Sequence, residues 1–163
     1  IYSLALLEKN PKLKITLVDL PEVLNVAQEL AATHPAKGRL NLVEGDMFEW
    51  EPQFQTEAFL FSNIFHDWDV PECKMLMQKY ANALPNNGQL IIHDVFLNDA
   101  LDGPLSIALY STALFTLTEG RAYSAAEYRN WMKACGLTTN KPIKTFVHCG
   151  LLTGTKASLL NEI

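Results

Sequence analysis

The sequence predicts an α/β fold built on a doubly wound, mostly parallel sheet, and three observations predict it. Strand-like and helix-like segments alternate in the order α-β-α-β-β-α-β-α-α-β-β, which calls for crossover helices between parallel strands. Residues 57–65, EAFLFSNIF, form a near-continuous apolar run, the pattern of a strand buried on both faces. The last two strand-like segments meet at a turn near Gly150, which predicts a C-terminal antiparallel pair.

The elements follow in order. The first helix ends at Asn10-Pro11, where the proline ring cannot continue it. Lys14–Asp19 is β-branched and apolar, and closes on Asp19. Pro21 suits the first turn of the next helix, whose inward stripe is Val23, Leu24, Ala27, Leu30 and Ala31. RLNLVEGDMF holds a short strand ending at Gly45-Asp46. After the 57–65 strand, Cys73, Leu76, Met77, Tyr80 and Leu84 line one face of a helix that stops at the PNNG turn. QLIIHDVFL is the next strand. The segment 104–117 is apolar nearly all round and predicts a buried helix. In SAAEYRNWMKACG, Ser124 and Glu127 form a capping box, Tyr128, Trp131, Met132 and Cys135 make the inner face, and Gly136 ends the helix. KPIKTFVHCGLLTGTKASL supplies the last two strands. No repeat, linker or low-complexity tract divides the 163 residues, so one domain, 1–163, is expected.

Composition removes several classes of function. The net charge is −5, with no Lys/Arg block, which disfavours a nucleic-acid backbone as partner. No apolar run reaches the ~20 residues of a membrane span, and Ile1-Tyr2-Ser3 enters a helical pattern with no leader, so no membrane partner is expected. Cys73, Cys135 and Cys149 are odd in number and lack CxxC spacing, which predicts neither a disulfide framework nor a zinc site. Buried thiols in a cytoplasmic protein are the expectation, and no metal ligand set is foreseen.

Ligands of open α/β sheets bind outside the carboxyl ends of the strands. Here those ends carry Asp19, Asp46, His66-Asp67 and Asp94. Singly, each has a plain explanation: an Asp before a helix serves as N-cap, and Asp94 suits a solvated strand end. Together on one rim they predict a site. Asp19 can accept both hydroxyls of a ribose. Asp46 can accept from an exocyclic adenine amine, with Met47 and Phe48 against the ring. His66 has the titration range of a general base at neutral pH. Asp94 can hold its tautomer and favour the cation that forms. No Ser or Cys sits on a nucleophile elbow, so His66 is expected to act on a substrate hydroxyl directly. His34, His93 and His148 are expected to be structural.

The run LVDLPEV, EGDMFE, FSNIFHDWDVPECKMLMQKYANALPNNGQLIIHD and EGRAYSAAEYRNWMKACGL resembles the S-adenosylmethionine-dependent O-methyltransferases of the caffeate/hydroxyindole (acetylserotonin) type, over nearly the whole chain. The D-L-P, G-D-M-F and H-D-W motifs in this order carry the resemblance. It implies a Rossmann-like class I methyltransferase fold, S-adenosylmethionine as cofactor with S-adenosylhomocysteine as product, a small and aromatic acceptor, and a homodimer. It places Asp19 and Leu20 on the ribose and adenosine, Asp46 and Met47 on the adenine, and Ser62 near the cofactor's amino-acid part. Trp68 would lie by the cofactor or pack the loop, and His66 would be the general base. Asp67, Leu109, Ala113 and Leu117, with Leu114, are the acceptor-side candidates.

Two departures accompany the resemblance. The family's G-x-E-R-T motif carries a second acid beside the base; here Ala122 stands at that place. The strand ending in D-x-G-G-G-x-G, expected just before residue 1 and at the centre of the sheet, is missing, as is the helical dimerisation region. The chain is therefore expected to be an N-terminally truncated catalytic domain. Two alternatives stay open: a non-catalytic or drifted member of the fold that keeps a cofactor or oligomer surface, and a nicotinamide-dinucleotide enzyme, which also uses an acid closing its second strand.

Overall fold

The computed structural model describes residues 1–52 and 56–158. They form two compact units, Ile1–Glu51 and Pro52–Ile163, each with a sheet of its own.

In the first unit, helix α1 (Tyr2–Lys9) is followed by strand β1 (Ile15–Asp19), helix α2 (Pro21–Ala31) and strand β2 (Leu40–Glu44). β1 and β2 are parallel, in register from Ile15 opposite Leu40 to Asp19 opposite Glu44. Parallel neighbours need a crossover, and α2 supplies it, with Pro21 in its first turn. Arg39 fastens the start of β2 to the last turn of α1 and the loop that leads into β1. Its guanidinium donates to the carbonyls of Leu7 (2.6 Å), Asn10 (2.9 Å) and Leu13 (2.8 Å). The buried apolar side chains here are Leu7, Ala31 and Ala36. Val23 and Leu30, expected on the inward stripe of α2, stand exposed, while Leu24 and Ala27 are half-buried. The helix covers a two-stranded ladder, too narrow to bury the whole stripe.

The second unit begins with strand β3 (Ala58–Ser62) and a 3₁₀ turn, Phe65–Asp67. Then come helix α3 (Val70–Ala83), strand β4 (Gln89–Leu97), helix α4 (Leu105–Leu117), the two-residue strand β5 (Tyr123–Ser124) and helix α5 (Ala125–Ala134). Strands β6 (Leu137–Thr139), β7 (Ile143–Lys144) and β8 (Cys149–Lys156) finish it. The sheet runs β3-β4-β8-β6, with β5 beside β4 and β7 beside β8. β3 and β4 are parallel; β8 is antiparallel to β4, β6 and β7.

The doubly wound α/β expectation holds, with parallel pairs joined by helices. The antiparallel end is richer than a pair, because Leu137–Thr139 adds a strand that the short run did not signal. The final turn also differs: it lies at Thr145–His148, with positive φ at Val147 and His148, and Gly150 sits inside β8. A side chain at Gly150 would meet the Phe96 ring at 3.0 Å, so its role is close packing. Of the last expected strand, Leu159 lies outside the described residues.

Two burial expectations are corrected. The 57–65 run is a strand only over Ala58–Ser62, and Leu60 is 42% exposed. β3 is the outermost strand of its ladder, and Asn63, at φ 55°, turns the chain away. α4 is apolar all round yet mostly solvated: Ile107 and Leu114 are buried, whereas Leu105, Phe115 and Leu117 are more than 70% exposed. It rests one face on β4, where Ile107 packs with Val95 and Ala122.

Elsewhere the patterning is obeyed. Cys73, Leu76, Met77 and Tyr80 are the buried face of α3. The C-terminal carbonyls of α3 are closed by Lys156, whose ammonium donates to Ala81, Asn82 and Leu84 (3.2, 3.0 and 2.7 Å), a cation meeting the negative end of a helix. The Ser124/Glu127 capping box forms as read. Among the described residues, no helix is long and apolar enough to cross a membrane.

Candidate active site

β3 ends at Ser62, opposite His93 of β4. β4 continues past that point, so Asp94 lies inside a strand and not at its end. It is fully buried, where a solvated terminus was the simple expectation. The chain leaving β3 turns at Asn63 and folds back as the 3₁₀ turn that carries His66 against β4.

That turn is held from three sides. The Cys73 thiol donates to the carbonyls of Phe65 (3.1 Å) and Trp68 (3.4 Å). The Tyr123 hydroxyl donates to the Trp68 carbonyl at 2.7 Å, and the Glu119 N–H to the Asp67 carbonyl at 3.2 Å. Gly120 presses directly on the turn: a Cβ there would fall on the His66 carbonyl oxygen and 2.5 Å from the Trp68 nitrogen. Burial pushes the Cys73 thiol up to about 12, so it stays protonated as a donor.

The turn delivers His66 Nδ1 to Asp94 Oδ1 at 2.5 Å. Both side chains are essentially excluded from water, at 3% and 0% exposure. The same Oδ1 accepts from the Val95 N–H at 2.8 Å, and Oδ2 accepts from the Tyr128 hydroxyl at 3.3 Å. A carboxylate can only accept, so Nδ1 carries a proton, and in the neutral imidazole Nε2 is left with the lone pair. Nε2 faces the Tyr110 hydroxyl at 3.4 Å and Asp67 Oδ1 at 3.6 Å.

Burial alone would lower the His66 pKa; the hydrogen bond to Asp94, and the charges of Asp94 and Asp67, outweigh it and raise the value. Asp67 is raised too, first by burial and then by Asp94, against the opposing pull of His66. A raised histidine stabilises the fold fully below its unfolded pKa, near ~6.5. That contribution fades as pH climbs through the folded value.

Asp19, Leu20, Asp46 and Met47 belong to the first unit. There Asp19 closes β1, and Asp46 follows the end of the parallel strand β2, so both sit at the carboxyl edge of the same ladder. Asp19 is not the N-cap of α2. That position is Leu20, and the Asp19 carboxylate accepts from the Leu20 N–H at 2.9 Å through one oxygen. Asp46 accepts from the Phe48 N–H at 2.8 Å. A cavity of about 330 Å³, lined by Lys14, Thr16, Gly38, Arg39 and Asn41 among others, opens at the opposite, amino edge.

In the second unit, Ser62 Oγ meets His93 Nδ1 at 2.9 Å, and His93 Nε2 meets Thr145 Oγ1 at 3.2 Å. Trp68 is half-buried and gives its carbonyl to Cys73 and Tyr123. Leu109, Ala113 and Leu117 share one exposed stripe of α4. Leu114 does not share it: it is buried, at 5% exposure. The α4 side chain that reaches His66 is Tyr110. Ala122 is fully buried beside Val95 and Ile107, in a space that offers a carboxylate no water.

Sequence reasoning gave no role at the site to Tyr110, Tyr128, Cys73, Tyr123 or Gly120, although it placed Cys73 and Tyr128 on inner helix faces. Both Tyr110 and Tyr128 lie on apolar stripes, where a hydroxyl is read as a passenger of its ring. Gly120, between a helix end and a strand, carried the one available signal.

Residues 3–138 match the family model for an O-methyltransferase domain. The chain is 32% identical over 139 residues to the 3-hydroxy-5-methyl-1-naphthoate 3-O-methyltransferase of Streptomyces sahachiroi, covering 85% of this chain and 40% of that protein. The fold matches an O-methyltransferase family 2 protein from Planctomyces limnophilus, crystallised with apigenin, at TM-score 0.92 and 46% identity, over 96% of this chain and 47% of that one. It also matches human N-acetylserotonin methyltransferase in complex with SAM, at TM-score 0.83 and 23% identity, over 93% and 43% of the two chains. The chain thus spans about two-fifths of the length of the curated relative described above. It belongs to the O-methyltransferase domain family.

Proposed function

We propose that the protein carrying this chain methylates a hydroxyl of a small aromatic acceptor, with His66 as general base and S-adenosylmethionine as methyl donor. The observation that supports this best is the water-excluded Asp94–His66 pair, with Nδ1 tied at 2.5 Å and the Nε2 lone pair left facing a phenolic hydroxyl.

The acceptor residues of the first unit suit the cofactor's donors. Asp19 uses one carboxylate oxygen on Leu20, which leaves the other for ribose hydroxyls. Asp46 is exposed and can accept from an adenine amine, with Met47 beside the ring. Leu20 would lie on the adenosine side, and Ser62 and Trp68 near the amino-acid part. When bound, S-adenosylmethionine supplies the activated methyl and leaves as S-adenosylhomocysteine.

The chain's own residues handle the proton. A free phenol, with pKa near ~10, is mostly un-ionised at pH 7 and a poor nucleophile. His66 Nε2 takes the hydroxyl proton as the oxygen reacts. The resulting imidazolium is stabilised by Asp94 through Nδ1, while Tyr128 and the Val95 N–H fix the carboxylate. Asp67, 3.6 Å from Nε2, supplies the second carboxylate that Ala122 cannot. The exposed stripe Leu109, Ala113 and Leu117 offers apolar contact to the acceptor.

A second reading, a drifted member that keeps the cofactor without oxygen methylation, is favoured by Ala122 at the place of the family acid. Transfer of isotopically labelled methyl to a panel of simple phenols decides between them. Calorimetric binding of the cofactor with no labelled phenol would sink the first reading.

His66 must be neutral to act, and its pKa is raised, so the acid limb of kcat/KM should lie above pH ~6.5. Asp94→Asn removes the charge that raises it. The limb should then shift to lower pH and the plateau should fall, as read from a pH–rate profile of the two proteins. A limb that moves upward would contradict the pairing.

A further inference from the structure

Nε2 of His66 has a resident partner that the proposed reaction does not use. Tyr110, from the middle of α4, brings its hydroxyl to 3.4 Å from Nε2. The two rings stand edge to face, 90° apart, with centroids 5.6 Å from each other. A base acts on a hydroxyl within hydrogen-bond reach of its lone pair. Tyr110 therefore presents a phenol where a phenolic acceptor would have to present its own.

We infer that Tyr110 is a built-in stand-in for the acceptor: its hydroxyl occupies the acceptor position on His66 and must be displaced before a substrate phenol can bind there. The inference rests on the reading of His66 as the base of a phenol-directed reaction, and it deepens that reading by naming what holds the acceptor position in the free protein.

The surroundings suit a removable group. Tyr110 is 42% exposed on a helix whose neighbouring side chains, Leu109 among them, already face solvent. Its contact with Nε2 is long for an O–H···N bond, and a long neutral bond is cheap to exchange. The groups facing Nε2 from around it are Asp67 on the turn and Tyr110 on α4, with Asp94 on β4 behind the ring. Burial, and then the charges of Asp67 and Asp94, keep the Tyr110 phenol protonated. The stand-in is thus a neutral phenol, the state in which an acceptor arrives.

Phenol itself is the probe, followed by NMR through the His66 ring resonances, with no cofactor and no turnover needed. Tyr110→Phe keeps the ring and removes the competing hydroxyl. Phenol should bind the variant about fivefold more tightly, the worth of one neutral hydrogen bond. The His66 titration midpoint in the free variant should also rise, because the donor that favoured neutral Nε2 is gone. Equal phenol affinity in the two proteins, weaker binding to Y110F, or a His66 resonance untouched by phenol in both would each overturn the stand-in. Methyl transfer to phenols with no displacement of Tyr110 would leave the methyltransferase reading standing and remove only this one. Displacement without methyl transfer would do the reverse.

Discussion

Replacing His66 by Ala is expected to lower methyl transfer by about 10²- to 10⁴-fold, the usual worth of a positioned general base, while calorimetric cofactor affinity stays within about twofold. The reason lies in geometry. Nε2 is the lone pair aimed at the acceptor position, and Asp67, the carboxylate facing that position, is partly solvated and 3.6 Å away. A complication follows from burial. Removing the imidazole leaves the Asp94 carboxylate, fully buried, with donors in the Val95 N–H and the Tyr128 hydroxyl. Breaking a buried pair in this way costs about 3–5 kcal/mol, so a loss of activity in H66A alone mixes chemistry with stability. His66→Asn separates them, because its amide nitrogen takes the place of Nδ1 and can still donate to Asp94. Both variants should lose turnover, and the Ala protein alone should lose most of its thermal stability. Wild-type turnover in H66N would remove His66 as the base.

Gly120→Ala should do comparable damage without touching a titrating atom. The added methyl would overlap the His66 carbonyl oxygen and approach the Trp68 nitrogen to 2.5 Å, both of them backbone atoms with no rotamer through which to yield. Overpacking usually costs about 1–3 kcal/mol, and the upper end is expected here, a fall of about 12 °C in the Tm of the second unit. The 3₁₀ turn would have to move away from α4 and β5, and His66 would move with it. A displacement of ~1 Å can cost ~10²-fold in rate. The pairing of Nδ1 with Asp94 should loosen, visible as a fall in the His66 titration midpoint toward its ordinary value. A G120A protein with unchanged Tm and unchanged His66 titration would show that the turn is not clamped as described.

Much of this was legible in the residue pattern, and what was missed has physical causes. Alternating helix and strand periods identified the parallel ladders, and the stripe of Cys73, Leu76, Met77 and Tyr80 was read as the core it is. Motif order brought His66 and Asp94 together on paper, and the backbone brings them to 2.5 Å. Burial was the weak point. EAFLFSNIF and the α4 segment are apolar enough for an interior, yet an outermost strand and a helix resting on one face leave Leu60, Leu109 and Leu117 in solvent. Composition reports what a segment tolerates, not how many neighbours the topology provides. The site's supporting hydroxyls escaped for a related reason. A tyrosine on an apolar stripe looks like core until coordinates show where its oxygen ends, at Asp94 for Tyr128 and at Nε2 for Tyr110. The Cys73 thiol was read correctly as buried, whereas Cys135 and Cys149, read the same way, are half-buried; the service of Cys73 to the Phe65 and Trp68 carbonyls depends on a turn that no periodicity announces.

The separate ladders have a thermodynamic consequence. Three small or medium apolar side chains, Leu7, Ala31 and Ala36, are what residues 1–51 sequester, whereas Pro52–Ile163 holds an interlocked cluster of Phe65, Tyr123, Tyr128 and Trp131 rings. Cohesion so unevenly spread undermines all-or-none melting. Fluorescence of Trp50 and of Trp131 would then trace distinct denaturant curves, and no single unfolding free energy would describe the chain.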